Sequence, residues 1–186
     1  MILITLGLAL WIAVHYWKRL APAHRAGMGD KGKGLVAIGV VAAIVLMVFG
    51  YRAAEGTVYW GRSGALVGIN NLLMVVSFYI YSCGAAPPGK PRNLVGTKLR
   101  HPQLVGFIVW GIAHLLVNGD SPSFLLFGGL LVWAIGAIIL INRAEPNWTP
   151  PAYGGAKSEI RVAVISVVML VIVMLIHNWL GVRPWG

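Results

Sequence analysis

The sequence predicts an all-α polytopic membrane bundle of about six transmembrane helices, with both termini on the non-cytoplasmic side. Three observations predict it: hydrophobic residues make up 58% of the chain, charged residues make up 11%, and basic residues cluster in alternate loops. Soluble domains average about a quarter charged residues, so the composition excludes an ordinary soluble domain. Because no predicted loop is longer than about twenty residues, we expect a single transmembrane domain over residues 1–186.

The predicted helices are six long stretches that are nearly free of charge. They cover about 1–17, 34–51, 64–86, 102–119, 121–142 and 162–182. Each approaches the roughly 20 residues that cross a hydrocarbon core as an α-helix. Lys18 and Arg19 follow the first stretch and no basic residue precedes it, which is the reverse of a signal peptide, so we predict a retained helix.

The orientation follows from the basic residues, since Lys and Arg outnumber Asp and Glu by 15 to 5. Loops 1, 3 and 5 hold twelve of them: Lys18, Arg19, Arg25, Lys31, Lys33, Lys90, Arg92, Lys98, Arg100, Arg143, Lys157 and Arg161. Loop 2 and the C-terminal tail hold only Arg52, Arg62 and Arg183. Positive loops stay cytoplasmic, so odd-numbered loops are predicted inside. Basic residues set between apolar runs indicate the lipid bilayer, and not nucleic acid, as the partner.

Two local patterns concern helix packing and helix ends. Gly64 and Gly68 form a small-xxx-small step, which predicts close helix contact in lipid. Ser121 followed by Pro122 predicts an N-cap and a proline at the first helical position.

Four histidines lie inside or at the edge of the apolar stretches: His15, His101, His114 and His177. An ionisable side chain in a bilayer costs at least a few kcal/mol, so it usually faces the bundle interior and has a function. Neutral imidazole is also the commonest metal ligand. His24, in the basic first loop, is expected to be solvated.

Depth in the membrane limits which histidines can share a metal. In the predicted topology His15 and His101 lie near the cytoplasmic face, and His114 and His177 lie in the outer half. His101 and His114 are separated by about 20 Å of continuous helix, so they cannot share a metal. His15 with His101 and His114 with His177 are both open pairings, and a bis-histidine haem would satisfy either. A zinc site would want Cys or carboxylate ligands that the sequence does not offer.

Arg100, His101 and Pro102 open the fourth predicted helix. Pro102 suits the first turn, where a missing N–H costs nothing, and this places His101 at the cap. An arginine, a histidine and a helix N-terminus together suit an anionic group such as a phosphate, a carboxylate or a haem propionate. The alternative is a simple positive anchor on the cytoplasmic side.

A longer pattern starts at the same residues. It comprises Arg100-His101-Pro102-Gln103-Leu104-Val105-Gly106, Trp110, Ala113-His114 and Asn118-Gly119-Asp120. This combination resembles the central signature of the NnrU family, and the likeness extends from Val14-His15 to His177 and Trp179. The family is named for a bacterial membrane protein linked to denitrification. Its plastid relative is zeta-carotene isomerase, a haem b protein.

The resemblance implies a multi-pass protein of the bacterial inner (cytoplasmic) membrane that binds haem b and is linked to denitrification and nitric oxide metabolism. It implies His15 and His114 as the metal ligands and an isomerase-like or redox role, with a hydrophobic small molecule as a further partner. The predicted topology separates these two histidines by about 15 Å along the membrane normal, a gap that tilted helices or a fourth helix beginning inside the membrane would reduce. The chain has Gly111 where the isomerase has a cysteine implicated in ligand switching. Carotene isomerisation is therefore not implied.

Other residues are expected to complete the cofactor site. Phe107 and Trp110 would form apolar walls that exclude water and tune the iron, and Arg100 would pair with a propionate. His101 and His177 are the alternative ligands.

Two other functions are open. Arg-His-Pro-x-x-x-Gly also opens the cofactor region of membrane methyltransferases that use S-adenosylmethionine. Their later Arg and paired acidic residues correspond here to Asn142-Arg143-Ala144-Glu145-Pro146, which has one carboxylate. The sequence offers no evident nucleophile, paired-carboxylate site or phosphate-binding glycine loop, which favours a non-catalytic accessory or assembly subunit of a respiratory membrane complex.

Overall fold

The structure, a computed structural model, describes residues 1–87 and 89–185 and fits the predicted all-α class. Its elements are α1 (Ile2–Leu20), α2 (Pro22–Gly27), α3 (Gly29–Arg52), β1 (Val58–Trp60), α4 (Gly64–Ser82), α5 (Leu94–Lys98), α6 (Pro102–Val117), β2 (Gly119–Asp120), α7 (Ser121–Ser123), α8 (Gly129–Ala144) and α9 (Gly155–Trp179). A π-helical turn, Phe124–Gly128, joins α7 to α8. The two short strands pair antiparallel.

Four of the described helical segments are long and apolar enough to cross a membrane: Gly29–Arg52, Gly64–Ser82, Ser121–Ala144 and Gly155–Trp179. They indicate a membrane protein. The apolar α6 has 16 residues, which is about 24 Å of helix and less than the roughly 30 Å hydrocarbon core. The second half of α1 is rich in aromatic and basic residues, which lowers its mean hydropathy. Crossing by six helices therefore stays a prediction.

Two helices, α3 and α9, begin earlier than predicted because charged residues lie in their first turns, and α4 ends earlier than predicted in a stretch without charges. The α3 helix begins at Gly29 and not at 34, so Lys31 and Lys33 belong to its first turns and not to a loop. The α9 helix begins at Gly155 and not at 162, and α4 ends at Ser82 and not at 86. Charges near an interface end an apolar stretch in the sequence without ending the helix.

The chain divides into two compact units whose segments alternate along the sequence. The first unit comprises Met1–Trp60 and Gly119–Pro146, and the second comprises Gly61–Asn118 and Asn147–Gly186.

In the first unit α1 packs against α3 and α8. A Cβ added at Gly50 would lie 2.7 Å from the backbone nitrogen of Ile4, so α1 and α3 approach closely only because glycine has no side chain. The hydroxyl of Tyr16 donates to the carbonyl of Trp133 at 2.7 Å and joins α1 to α8.

In the second unit α4 packs against α6 and α9. A Cβ at Gly106 would lie 2.7 Å from the backbone nitrogen of Tyr81 and 2.8 Å from the carbonyl oxygen of Ser77. The hydroxyl of Ser77 donates to the carbonyl of Gly106 at 2.8 Å. The α9 helix is joined to α4 by the hydroxyl of Ser166, which lies 3.3 Å from the carbonyl of Phe78.

The small-residue contacts are not where the sequence predicted them. A Cβ at Gly64 or Gly68 would meet nothing within 4 Å, so the predicted close contact at this step is wrong for the described residues. Gly50 and Gly106 make the close approaches instead, because each faces the backbone of a neighbouring helix.

Candidate functional site

In the first unit, His15 lies in an aromatic cluster on α1. Its Nδ1 is 2.8 Å from the carbonyl oxygen of Trp11, one turn earlier. Because a carbonyl only accepts, Nδ1 carries the proton, and Nε2 is the nitrogen whose lone pair suits a metal. The ring centroid of His15 is 4.1 Å from that of Trp11 and 4.9 Å from that of Trp133.

The same cluster contains a buried donor. Trp11 Nε1 is buried and has no hydrogen-bond partner among the described residues. A buried unsatisfied donor costs about 1–3 kcal/mol, so an acceptor brought by a bound group would be stabilised here. The indole lies beside His15, where a cofactor with polar edges would be held.

In the second unit, His114 is built in the same way. Its Nδ1 donates to the carbonyl of Trp110 at 3.0 Å, and the two ring centroids are 4.6 Å apart. Phe107 lies 4.8 Å from Trp110, so three rings follow one another along α6. Spacings of three and four residues place side chains on one helix face, so Phe107, Trp110 and His114 share a face.

His177, on α9, is the imidazole that lies beside His114 in this unit. Its Nδ1 donates to the carbonyl of Val173 at 2.8 Å, and its ring centroid is 6.5 Å from that of His114. Two metal–nitrogen bonds of about 2 Å, together with the ring dimensions, separate the centroids of a bis-histidine site by about 6 Å. The distance between His114 and His177 is therefore close to the one that such a site needs.

His101 lies apart from this cluster. It is the N-cap of α6 with Pro102 at the first helical position, as the sequence predicted, and Arg100 precedes it. His114 lies near the other end of α6, about 20 Å along the axis. The structure therefore does not bring His101 to His114.

The signature residue Asn118 supports the end of α6. Its side-chain nitrogen donates to the carbonyl of His114 at 2.8 Å, and its backbone N–H donates to the same carbonyl at 3.0 Å. Asn118 therefore fixes the backbone that carries His114.

Asp120, the last residue of that signature, has a structural role in the first unit. It is the N-cap of α7, and its carboxylate accepts from the backbone N–H of Ser123 at 2.8 Å and from the Ser123 hydroxyl at 2.9 Å. The predicted N-cap Ser121 is wrong, because Ser121 is already the first helical residue. The Asp120 carboxylate lies one residue before α7, where it accepts from a backbone N–H group of the first turn that has no partner within the helix.

The donor chemistry fits a haem. Within residues 1–87 and 89–185 no group of three or more His, Cys, Asp or Glu side chains is arranged to hold a metal ion. A structural zinc site would need such a group. Haem iron takes four nitrogens from the porphyrin and needs one or two imidazoles from the protein. Imidazoles anchored through Nδ1 in apolar surroundings meet that need.

A Trp-x-x-x-His spacing occurs in both histidine clusters. Trp11 precedes His15 by four residues, and Trp110 precedes His114 by four residues. One helical turn then places indole and imidazole together and lets Nδ1 reach the tryptophan carbonyl. This Trp-x-x-x-His spacing could have identified both aromatic clusters in advance.

Glu145 is the single carboxylate at the place that resembles the methyltransferase cofactor region. In the first unit it forms an ion pair with Arg19.

The comparison with known proteins agrees with the family resemblance that the motifs indicate. A family model described as NnrU protein matches residues 3–184, nearly the whole chain. The match includes His15, His101, His114 and His177. Neither the curated proteins nor the solved structures contain a match to this chain.

Proposed function

The chain belongs to the NnrU family, and from that premise we propose that it is an integral membrane protein that binds haem b through His15 and His114. The observation that carries the proposal is the common construction of the two imidazoles. Each donates from Nδ1 to the carbonyl of a tryptophan one turn earlier, and each ring lies against that tryptophan. The same two residues are the ligands that the resemblance to the family implies.

The residues around each imidazole would fix the ring in the tautomer and orientation that bind iron. A carbonyl partner on Nδ1 fixes the tautomer and orientation of the ring and raises the basicity of Nε2. Trp11, Trp110 and Phe107 place apolar rings beside the imidazoles, which excludes water. Haem would supply electron transfer or binding of a small ligand at iron. The pairing of Arg100 with a propionate stays a prediction, because Arg100 and His101 lie about 20 Å along α6 from His114.

The membrane arrangement is the second part of the proposal. We propose six crossings with both termini outside, in the bacterial inner membrane, and one NnrU-like domain that comprises both units. The family model that covers residues 3–184 supports a single domain. Reporter fusions after residues 27 and 60 should report cytoplasmic and non-cytoplasmic positions, respectively, because the first loop is basic and the second is not. The opposite pattern would refute this topology.

The family name links the protein to denitrification, so we propose a role in the chemistry of nitrogen oxides. Its partner would be a hydrophobic small molecule or another subunit of the membrane. The single carboxylate at Glu145, where the membrane methyltransferases have paired acidic residues, counts against the methyltransferase alternative.

Absorbance spectra of detergent-purified variants test the ligand assignment. We expect a Soret band in the parent protein and its loss in His15→Ala and His114→Ala. His24→Ala is the matched control, because His24 is exposed and, among the described residues, its hydrogen bond is with Trp17. Loss in His114→Ala and His177→Ala, with retention in His15→Ala, would move the second ligand to His177. Retention of pigment in all of them would refute the proposal.

A further inference from the structure

The second unit contains a cavity of about 950 Å³ at one end of α4 and α9. The cavity is open on one side, because most of the residues that line it are exposed. The α4 helix begins here at Gly64 and α9 ends here at Trp179, so the cavity lies where two apolar helices reach the surface of the membrane. None of the predicted haem residues lines it.

The chain builds this cavity by turning back after α9. Gly181 has a φ of 85°, which favours glycine, and Val182 donates its backbone N–H to the carbonyl of His177 at 2.9 Å. This is the hydrogen bond of a Schellman motif, which ends a helix and reverses the chain. A side-chain nitrogen of Arg62 then donates to the carbonyl of Arg183 at 2.7 Å and holds the turn beside the start of α4.

The polar lining is cationic. Arg62 and Arg183 both line the cavity, together with Ser63 and Asn71. In the described part of the second unit, Glu159 is the only carboxylate side chain, and it accepts from the backbone N–H of Leu94 at the opposite end of α9. No carboxylate side chain of this unit therefore neutralises the two guanidinium groups.

The same arginines are exceptions to the charge pattern of the sequence. The positive-inside rule leaves only Arg52, Arg62 and Arg183 on the predicted outer side. Two of these three line one cavity. A binding site explains why the positive charges are kept there.

The remaining lining is apolar and open. Val67, Val182 and Trp185 form apolar walls, and a Cβ added at Gly68 would meet nothing within 4 Å. Space without side chains beside two guanidinium groups suits a ligand that is anionic at one end and apolar at the other. A guanidinium matches the oxygens of a phosphate, and basic pockets between membrane helices bind lipid headgroups.

We propose that this cavity binds the phosphodiester headgroup of an anionic phospholipid. Arg62 and Arg183 bind the phosphate oxygens, Ser63 and Asn71 offer hydrogen bonds to the headgroup, and the acyl chains leave along the apolar face of α4. A free phosphate shares the oxyanion chemistry but leaves the apolar walls uncovered.

Native mass spectrometry of the detergent-purified chain, titrated with phosphatidylglycerol or phosphatidylcholine, tests the proposal. We expect half-saturation at a roughly tenfold lower concentration of phosphatidylglycerol than of phosphatidylcholine. Both lipids carry the phosphodiester, but the choline cation of the second is repelled by the two guanidinium groups and leaves that lipid without net charge. Arg183→Gln removes a charge, and Gly68→Leu fills the open space while keeping both charges. Arg183→Gln should raise the half-saturating concentration of phosphatidylglycerol about tenfold, because the phosphate loses a hydrogen bond to a charged group. Gly68→Leu should also raise it, because the leucine side chain occupies the space of the ligand.

Arg52→Gln is the matched control, because it removes one charge from the exposed end of α3 and does not touch the cavity. It should bind phosphatidylglycerol like the parent protein. Equal binding by Arg183→Gln, Gly68→Leu and the parent would overturn the proposal. Displacement of the lipid by inorganic phosphate at the same concentration would also overturn it, since the site would then recognise a free anion.

Discussion

Replacing Gly106 by alanine tests the packing that positions α6. The new Cβ would lie 2.7 Å from the nitrogen of Tyr81 and 2.8 Å from the carbonyl oxygen of Ser77. Both atoms belong to the backbone of α4 and cannot rotate away. Because ordinary contact starts at 3.4 Å, the two helices must separate by up to about 0.7 Å. Overpacking of this kind costs about 1–3 kcal/mol in the free energy of unfolding.

Gly68→Ala is the matched control, since it lies on α4 and its Cβ would meet nothing within 4 Å. Both substitutions gain the same helix propensity, so their difference isolates the cost of the close contact. Thermal unfolding in detergent, followed by circular dichroism, should give Gly106→Ala the lower Tm, by about 2–4 °C for each kcal/mol. Equal Tm values would refute the close packing of α4 and α6.

Two further predictions concern a cap and a buried thiol. Asp120→Ala should lower the free energy of unfolding by about 0.5–2 kcal/mol, because α7 loses its N-cap. Ser121→Ala is the control and should change this free energy little. Denaturation in detergent measures both variants. Burial raises the pKa of the Cys83 thiol, which is 1% exposed. Since only the thiolate reacts, maleimide should label the folded protein far more slowly than the protein in SDS at pH 8, and equal rates would contradict this burial.

The sequence predicted where helices lie because apolar composition determines them. It could not predict where charged residues continue a helix, so the starts of α3 and α9 were placed too late. Competition between Asp120 and Ser121 for the cap also depends on the local backbone, and the predicted residue was wrong.

Tertiary contacts were harder to predict than helices. Gly64 and Gly106 are equivalent in a pattern search, but only Gly106 faces a neighbouring backbone, which depends on the rotation of each helix. The sequence singled out His114 and His177 as a possible pair, and the structure places their rings 6.5 Å apart. The sequence did not indicate that the residues after α9 bring Arg183 to Arg62, because that contact follows from the turn at Gly181.

The most direct test of the central claim is the haem content of the parent protein. The purified chain, expressed with added haem precursor, should be measured by the pyridine haemochrome method and by reduced-minus-oxidised absorbance. We predict about one haem b per chain, with α and Soret bands of a histidine-ligated iron. A colourless preparation that is folded, helical and free of iron would contradict the account.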